Sequence, residues 1–175
     1  DAIVTIDASK VSFKNFKPGV GPYGEPQLIK FLSNYLNNLP KYMNRVITRR
    51  TPDLLIPNEW AIEFKIVRPF GDNGNEAENW SVNILHPYIG NISTIGDCLK
   101  LAQLECSERL AVVVIGYEHL PPRIDLTPLI NSFELIANQI LKITLSNRIE
   151  IRRNNLIHPV HQSVRLFAWE VIKSV

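Results

Sequence analysis

The sequence predicts an α/β domain, a mixed central β-sheet flanked by helices. Three patterns carry that prediction. Apolar residues recur with helical spacing over residues 28–39. Residues 60–67, WAIEFKIV, alternate as a strand does. Residues 110–117, LAVVVIGY, form an unbroken apolar run, the mark of a strand covered on both faces.

The elements follow in chain order. Residues 1–22 hold the Gly and Pro signals of VSFKNFKPGVGP and read as an irregular lead-in. Leu28, Phe31, Leu32, Tyr35, Leu36 and Leu39 then mark one face of a helix. Pro26 suits its first turn, Pro40 stops it, and Glu25 stands at its N-terminus. Between residues 42 and 67, the runs MNRVIT, DLLI and WAIEFKIV are parted by the turns TPD and IPNE, as in a strand meander. Within the last run, Ile62, Phe64 and Ile66 are expected on the core face, with Glu63 and Lys65 side by side on the other, about 7 Å apart. Residues 68–92 form a Gly- and Asn-rich loop, long enough to suggest function or disorder. A helix is predicted over residues 93–107, carrying Ile95, Leu99, Leu101, Ala102 and Leu104. The buried strand at 110–117 comes next. After Thr127-Pro128, a second long helix presents Leu129, Ile130, Phe133, Ile136, Ala137, Ile140 and Leu141. IEIRR and SVRLFAWEVI close the chain as two strands around the turn-rich NNLIHPVHQ.

At 175 residues the chain reads as a single domain, 1–175. The 19 basic and 17 acidic side chains leave a net charge of only +2, so overall charge does not announce a nucleic-acid binder. The basic residues cluster, however: Lys10, Lys14 and Lys17; Arg45, Arg49 and Arg50; Arg148, Arg152 and Arg153. Such clusters track phosphates or serve as solvated strand and helix ends. Cys98 and Cys106, if on one helix, stand about 12 Å apart, too far for a disulfide. Free thiols point to a cytoplasmic setting. No apolar run reaches membrane-spanning length, so no membrane partner is expected. The chain opens on Asp1 rather than Met, which suggests a piece of a longer polypeptide or complex. No G-x-x-x-x-G-K-[ST] loop or G-x-S-x-G elbow occurs, which argues against ATP use and an esterase triad.

The chemistry concentrates in TPDLLIPNEWAIEFK. If DLLI and WAIEFKIV pair around IPNE, Asp53 and Glu63 can face one divalent cation. A hard ion such as Mg2+ binds through one or two carboxylates and keeps waters. It would polarise a phosphate and acidify an attacking water. Lys65 would orient that water or offset charge on the phosphate oxygens. A surface hairpin with cross-strand charges is the competing reading.

Pro52-Asp53 followed by Glu63-Phe64-Lys65 resembles the signature of the PD-(D/E)xK, or restriction-endonuclease-like, nuclease superfamily. The likeness covers roughly residues 24–118, the motif core. It implies a restriction-endonuclease-like fold, a mixed sheet whose second and third strands carry the motif. It implies metal binding by Asp53, Glu63 and the main-chain carbonyl of Phe64, and a catalytic role for Lys65. Many members add an acidic residue on the preceding helix, and Glu25 is the match by position, with stabilisation by the helix dipole as its alternative role. Mg2+, with Mn2+ as substitute, is the implied cofactor, DNA the implied partner, and a homodimer compatible. Several members also place a polar residue on the helix after the motif. Ser93, Asp97, Lys100 and Gln103 are the candidates here, against a solvated helix face. In the long loop, Arg68, Asn79, Trp80 and His86 are candidates for nucleic-acid contact, Trp80 by stacking or else by packing the loop down. His158 and His161 read as a surface turn with no third metal ligand evident. The sequence therefore points to a Mg2+-dependent endonuclease acting on DNA; the alternative is a catalytically inactive module of the same fold that binds nucleic acid or protein.

Overall fold

The computed structural model describes residues 1–88 and 93–173. A mixed seven-stranded sheet forms the centre, with helices on both faces. In chain order the elements are α1 (Ala2–Ala8), α2 (Glu25–Asn37), β1 (Ile47–Thr48), β2 (Leu54–Ile56), β3 (Trp60–Val67), α3 (Val82–Leu85), α4 (Thr94–Gln103), β4 (Arg109–Glu118), α5 (Thr127–Leu135), β5 (Thr144–Leu145), β6 (Ile149–Asn154) and β7 (Ser163–Ile172). The strands run β1-β2-β3-β4-β7, with β5 and β6 both paired to the outer side of β7. All pairings are antiparallel except β3–β4, which are parallel over eight residues. The β3-to-β4 crossover holds α3 and α4, because parallel neighbours cannot be joined by a tight turn.

The sheet separates two cores. One packs Leu110, Val112 and Val114 of β4 and Phe167, Trp169 and Val171 of β7 against Ile95, Cys98 and Leu101 of α4 and Ile130 and Phe133 of α5. The other packs Phe64 and Ile66 of β3, with Ile115 and Tyr117, against Ile3 and Ile6 of α1 and Leu28 and Ile29 of α2. The alternation expected in β3 is present. Both of its faces are covered, however, since Ala61 and Val67 belong to the first core. Glu63 and Lys65 therefore point into protein, not solvent.

The structure departs from the expected elements at several places. The lead-in contains α1, whose Ile3 and Ile6 dock onto the sheet. The carboxylate of Asp7 secures it by accepting from the main-chain N–H groups of Val20 and Ile157, the latter 150 residues away. Helix α2 is rolled relative to its apolar periodicity: Leu28, Ile29 and Ser33 are buried, while Phe31 is exposed and packs edge-on against Tyr23. The i, i+4, i+8 row of Glu25, Ile29 and Ser33 faces inward instead. Helix α4 stops at Gln103, four residues short of the predicted end, because Leu104 turns extended to lead into β4. After α5 the chain makes a π-turn over Ile136–Ile140. The extra residue per turn rotates the apolar stripe, and Ile140 becomes 62% exposed. Strand β5 was not anticipated; β6 and β7 lie where the sequence put them.

Candidate active site

Strand β3 loses its partner halfway along. Its antiparallel ladder with β2 ends at Leu54↔Ile62. The next outward main-chain donors would then be unpaired, and buried N–H groups rarely stay so. Two carboxylates replace the missing strand. Asp53 Oδ2 accepts from the N–H of Phe64 at 2.8 Å, and Glu25 Oε2 accepts from the N–H of Ile66 at 3.1 Å. Asp53 stands immediately before β2, and Glu25 is the first residue of α2, so each reaches the edge from the start of its element. A strand residue points its N–H and C=O the same way. The carbonyl of Phe64 therefore opens onto the same edge, and Asp53 keeps Oδ1 for another contact.

Glu63 and Lys65 leave β3 on the α4 side. Together with Glu25, Asp53, Asp97 and Lys100 they line a cleft of about 520 Å³. Glu63 is buried, and its Oε1 has no hydrogen-bond partner. Burial raises its pKa to about 9, helped by the charge of Asp53, by a hydrogen bond to Asp53 that only the protonated acid can make, and by Asp97. The Lys65 ammonium lies 3.3 Å from Glu25 Oε1 and 3.2 Å from Asp97 Oδ2. The second contact has ion-pair distance without hydrogen-bond geometry. Burial opposes the Lys65 charge, but Glu25 and Asp97 more than offset it and hold its pKa above the ordinary lysine value. Burial likewise raises the pKa of Glu25, with Lys65 opposing and Asp53 adding.

Asp97 is the residue that sequence reasoning undervalued. Rather than lying on a solvated helix face, it is 2% exposed, ion-paired with Lys65 through Oδ2 and hydrogen-bonded through Oδ1 to Lys100 at 2.8 Å. It sits in the first turn of α4, where the dipole favours an acid. Ser93 caps that helix by accepting from Gly96 N–H. Spacing gave a signal: Asp97 and Lys100 are i and i+3. Gln103 stays exposed at the helix end, outside the cleft lining.

A second cleft of about 680 Å³ shares Glu25, Arg50 and Asp53 with the first and continues past Lys30, Ser33 and Arg49. Among the described residues, Lys30, Arg49 and Arg50 make no ion pair. The other basic residues are placed differently. Arg45 pairs with Glu59, while Arg148, Arg152 and Arg153, at the far edge of the sheet, pair with Glu134, Glu118 and Asp1. Lys10, Lys14 and Lys17 are exposed after α1.

The loop candidates separate too. Arg68 is a structural residue: it donates to the carbonyls of Gly21 and Tyr23 and lies over the Tyr117 ring. Trp80 packs against the first core, while Asn79 is exposed. The carbonyl of His86 accepts from Ser93 Oγ. The final part of that loop, residues 89–92, lies outside the described residues.

His158 and His161 form a buried junction, not a surface turn, and Asp72 joins them: one ligand atom from each lies within 4.8 Å of the others. Burial lowers both imidazole pKa values, that of His161 to about 3, so both rings are neutral at pH 7. His161 Nε2 faces the carbonyl of Phe70 and must carry the proton, which leaves Nδ1 a lone pair 3.5 Å from Asp72 Oδ1. His158 Nδ1 accepts from the N–H groups of Val160 and His161, so its proton is on Nε2. The triad presents two lone pairs and one N–H. A transition metal needs three lone pairs, so the cluster reads as a polar junction joining the β6–β7 loop and the Asp72 loop to the Gly19–Gly21 segment that precedes α2. Among the described residues, the carboxylates of the main cleft do not close into a comparable set of three.

Cys98 and Cys106 are both free thiols; Cys98 is buried, and burial pushes its pKa up. No helix among the described residues is long and apolar enough to cross a membrane. No family model, curated protein or solved structure matches the chain.

Proposed function

We propose that this chain is a metal-dependent nuclease with a restriction-endonuclease-like fold, hydrolysing DNA phosphodiester bonds by water attack. The observation that carries the proposal is convergence. Glu25 from a helix, Asp53 from the turn before β2, and Glu63 and Lys65 from β3, up to 40 residues apart, meet in one cleft. The order helix, three-strand meander, helix and parallel strand supports the same reading, with the motif at the second and third strands.

The donor set fits Mg2+ or Mn2+. Glu63 Oε1 is a buried oxygen without a partner, Asp53 keeps one oxygen, and the Phe64 carbonyl opens on the same edge. Two carboxylates and a carbonyl suit a hard cation that retains waters. When bound, the ion would supply Lewis-acid polarisation of the phosphate and a water of lowered pKa. Lys65, fixed between Glu25 and Asp97, offsets charge developing on phosphate oxygens. Lys100 adds a second cation on the wall, and Lys30, Arg49 and Arg50 offer a track for neighbouring phosphates. The free thiols support a reducing, cytoplasmic setting.

One observation favours a binding module of the same fold instead: the cleft carboxylates are engaged with main-chain N–H groups and lysines, and no three close within 4.8 Å among the described residues. Incubation with plasmid and linear DNA in Mg2+, Mn2+ or EDTA decides. The nuclease reading expects cutting that EDTA and Asp53→Ala each abolish. Cutting that survives either one overturns it. Nucleic-acid affinity without calorimetric Mg2+ or Mn2+ binding supports the binding module.

A further inference from the structure

Strand β6 is an open edge at the opposite end of the sheet from the cleft. It pairs with β7 from Ile149↔Ala168 to Asn154↔Ser163, and all six of its residues are exposed. Among the described residues no strand pairs with its other side. Natural edges are usually kept very short, bulged, interrupted by Pro or guarded by charged side chains, and of these β6 has only the charges of Glu150, Arg152 and Arg153. The pairing of β6 is six residues long, continuous in register and free of Pro. Ile149 is 62% and Ile151 43% exposed, on the same sheet face as Leu166 and Val164. An apolar groove of about 270 Å³ between α1 and the sheet runs up to Ile151.

We propose that β6 is a homodimer interface, pairing antiparallel with β6 of a second copy across a two-fold axis at Ile151. The choice of a second copy rests on charge. Directly opposed residues in an antiparallel pair share a face, so a two-fold axis must pass where a residue meets its own copy. Three positions near the centre of the strand qualify. Centring on Glu150 sets it against the partner's Glu150 and Arg148 against the partner's Arg152. Centring on Arg152 opposes two arginines directly. Centring on Ile151 stacks Ile151 on the partner's Ile151 and sets Glu150 against the partner's Arg152 twice, with no like charges opposed; within its own chain Glu150 also pairs with Arg165, and Arg152 with Glu118. Ile149 then lies beside the stem of the partner's Arg153, and four isoleucines form one apolar patch. The main-chain groups of both edges are satisfied in the same step.

The interface is independent of the nuclease reading, because β6 and the cleft beside β3 are separated by β7 and β4. Sedimentation equilibrium over a dilution series tests it. The wild-type chain is expected to approach twice the monomer mass as concentration rises. Ile151→Lys and Ile151→Glu each place like charges on the axis and are expected to weaken association at least tenfold, with thermal melts equal to wild type at dilutions where the wild type is monomeric, because the side chain is exposed in the single chain. Mixing the two variants opposes Lys to Glu and is expected to restore the dimer. A wild type that stays monomeric, variants that still dimerise, or a mixture no tighter than either variant alone each overturns the proposal.

Discussion

Replacing Glu63 by Gln is expected to stabilise the metal-free protein at neutral pH while abolishing divalent-cation binding. Glu63 is 4% exposed, and its pKa stands near 9 against an ordinary 4.5, raised by burial, by Asp53 and by Asp97. An acid with a raised native pKa holds its proton in the fold and releases it on unfolding. Stability attached to this group is therefore complete below pH 4.5 and falls as pH rises toward 9. Each unit corresponds to about 1.4 kcal/mol, so the loss is roughly 3 kcal/mol by pH 7. Gln has nearly the same shape and no proton to release. In EDTA, the Glu63→Gln variant is expected to match wild type at pH 4.5 and exceed it progressively to pH 8. At this chain length, 1 kcal/mol moves Tm by about 2–4 °C, so melts at four or five pH values resolve the difference. Other shifted groups, such as Glu25, Glu118 and His161, are present in both proteins and largely cancel from the comparison. Mg2+ is expected to raise the wild-type Tm more at pH 8 than at pH 6, since binding must displace the Glu63 proton, and to leave the variant unmoved. Parallel pH profiles for the two proteins in EDTA would refute this account of Glu63.

Two further outcomes follow from the geometry. Asp97→Asn removes one of the two anions that hold Lys65. Cleavage should fall by about ten- to a hundredfold through misplacement of the ammonium, and the alkaline limb of the rate profile should move to lower pH as Lys65 loses a stabilising charge; a lower rate with an unmoved alkaline limb would disprove the positioning role. Gly21→Ala would put a Cβ 2.4 Å from the His161 ring, inside a filled junction. Overpacking of that kind costs about 1–3 kcal/mol, and a thermal melt equal to wild type would show that the junction yields.

Much of the fold was readable because its patterns are local. The alternation in WAIEFKIV places Phe64 and Ile66 in one core and Glu63 and Lys65 on the other face. The apolar run at 110–117 matches a β4 flanked by β3 and β7. Pro26 and Pro40 bracket α2 well. Other features depend on distant partners and left no local trace. Helix α1 is secured by Asp7, whose carboxylate bonds a residue 150 positions away. The roll of α2 follows from Glu25 reaching the open edge of β3, which no helical periodicity encodes. His158 and His161 become buried only because Gly21 and the loop of Asp72 close over them.

The same division runs through the candidate site. Residue order and spacing named Asp53, Glu63 and Lys65, because a divalent-metal site needs acids and a helper lysine at short spacing on neighbouring strands; Glu25 entered only through the resemblance to the nuclease superfamily, by its position at the start of the preceding helix. Tertiary structure decided what surrounds them. The β2 ladder ends one pair before Glu63, which turns Asp53 and Glu25 into substitutes for a missing strand. The crossover after β3 brings Asp97 onto Lys65 from 32 positions further along the chain, a meeting that strand spacing cannot anticipate. Burial then sets the protonation of Glu63. Sequence determines which groups are available and on which face of a strand they stand; the dielectric and the charges around each depend on long-range packing, and those fix what the groups can do.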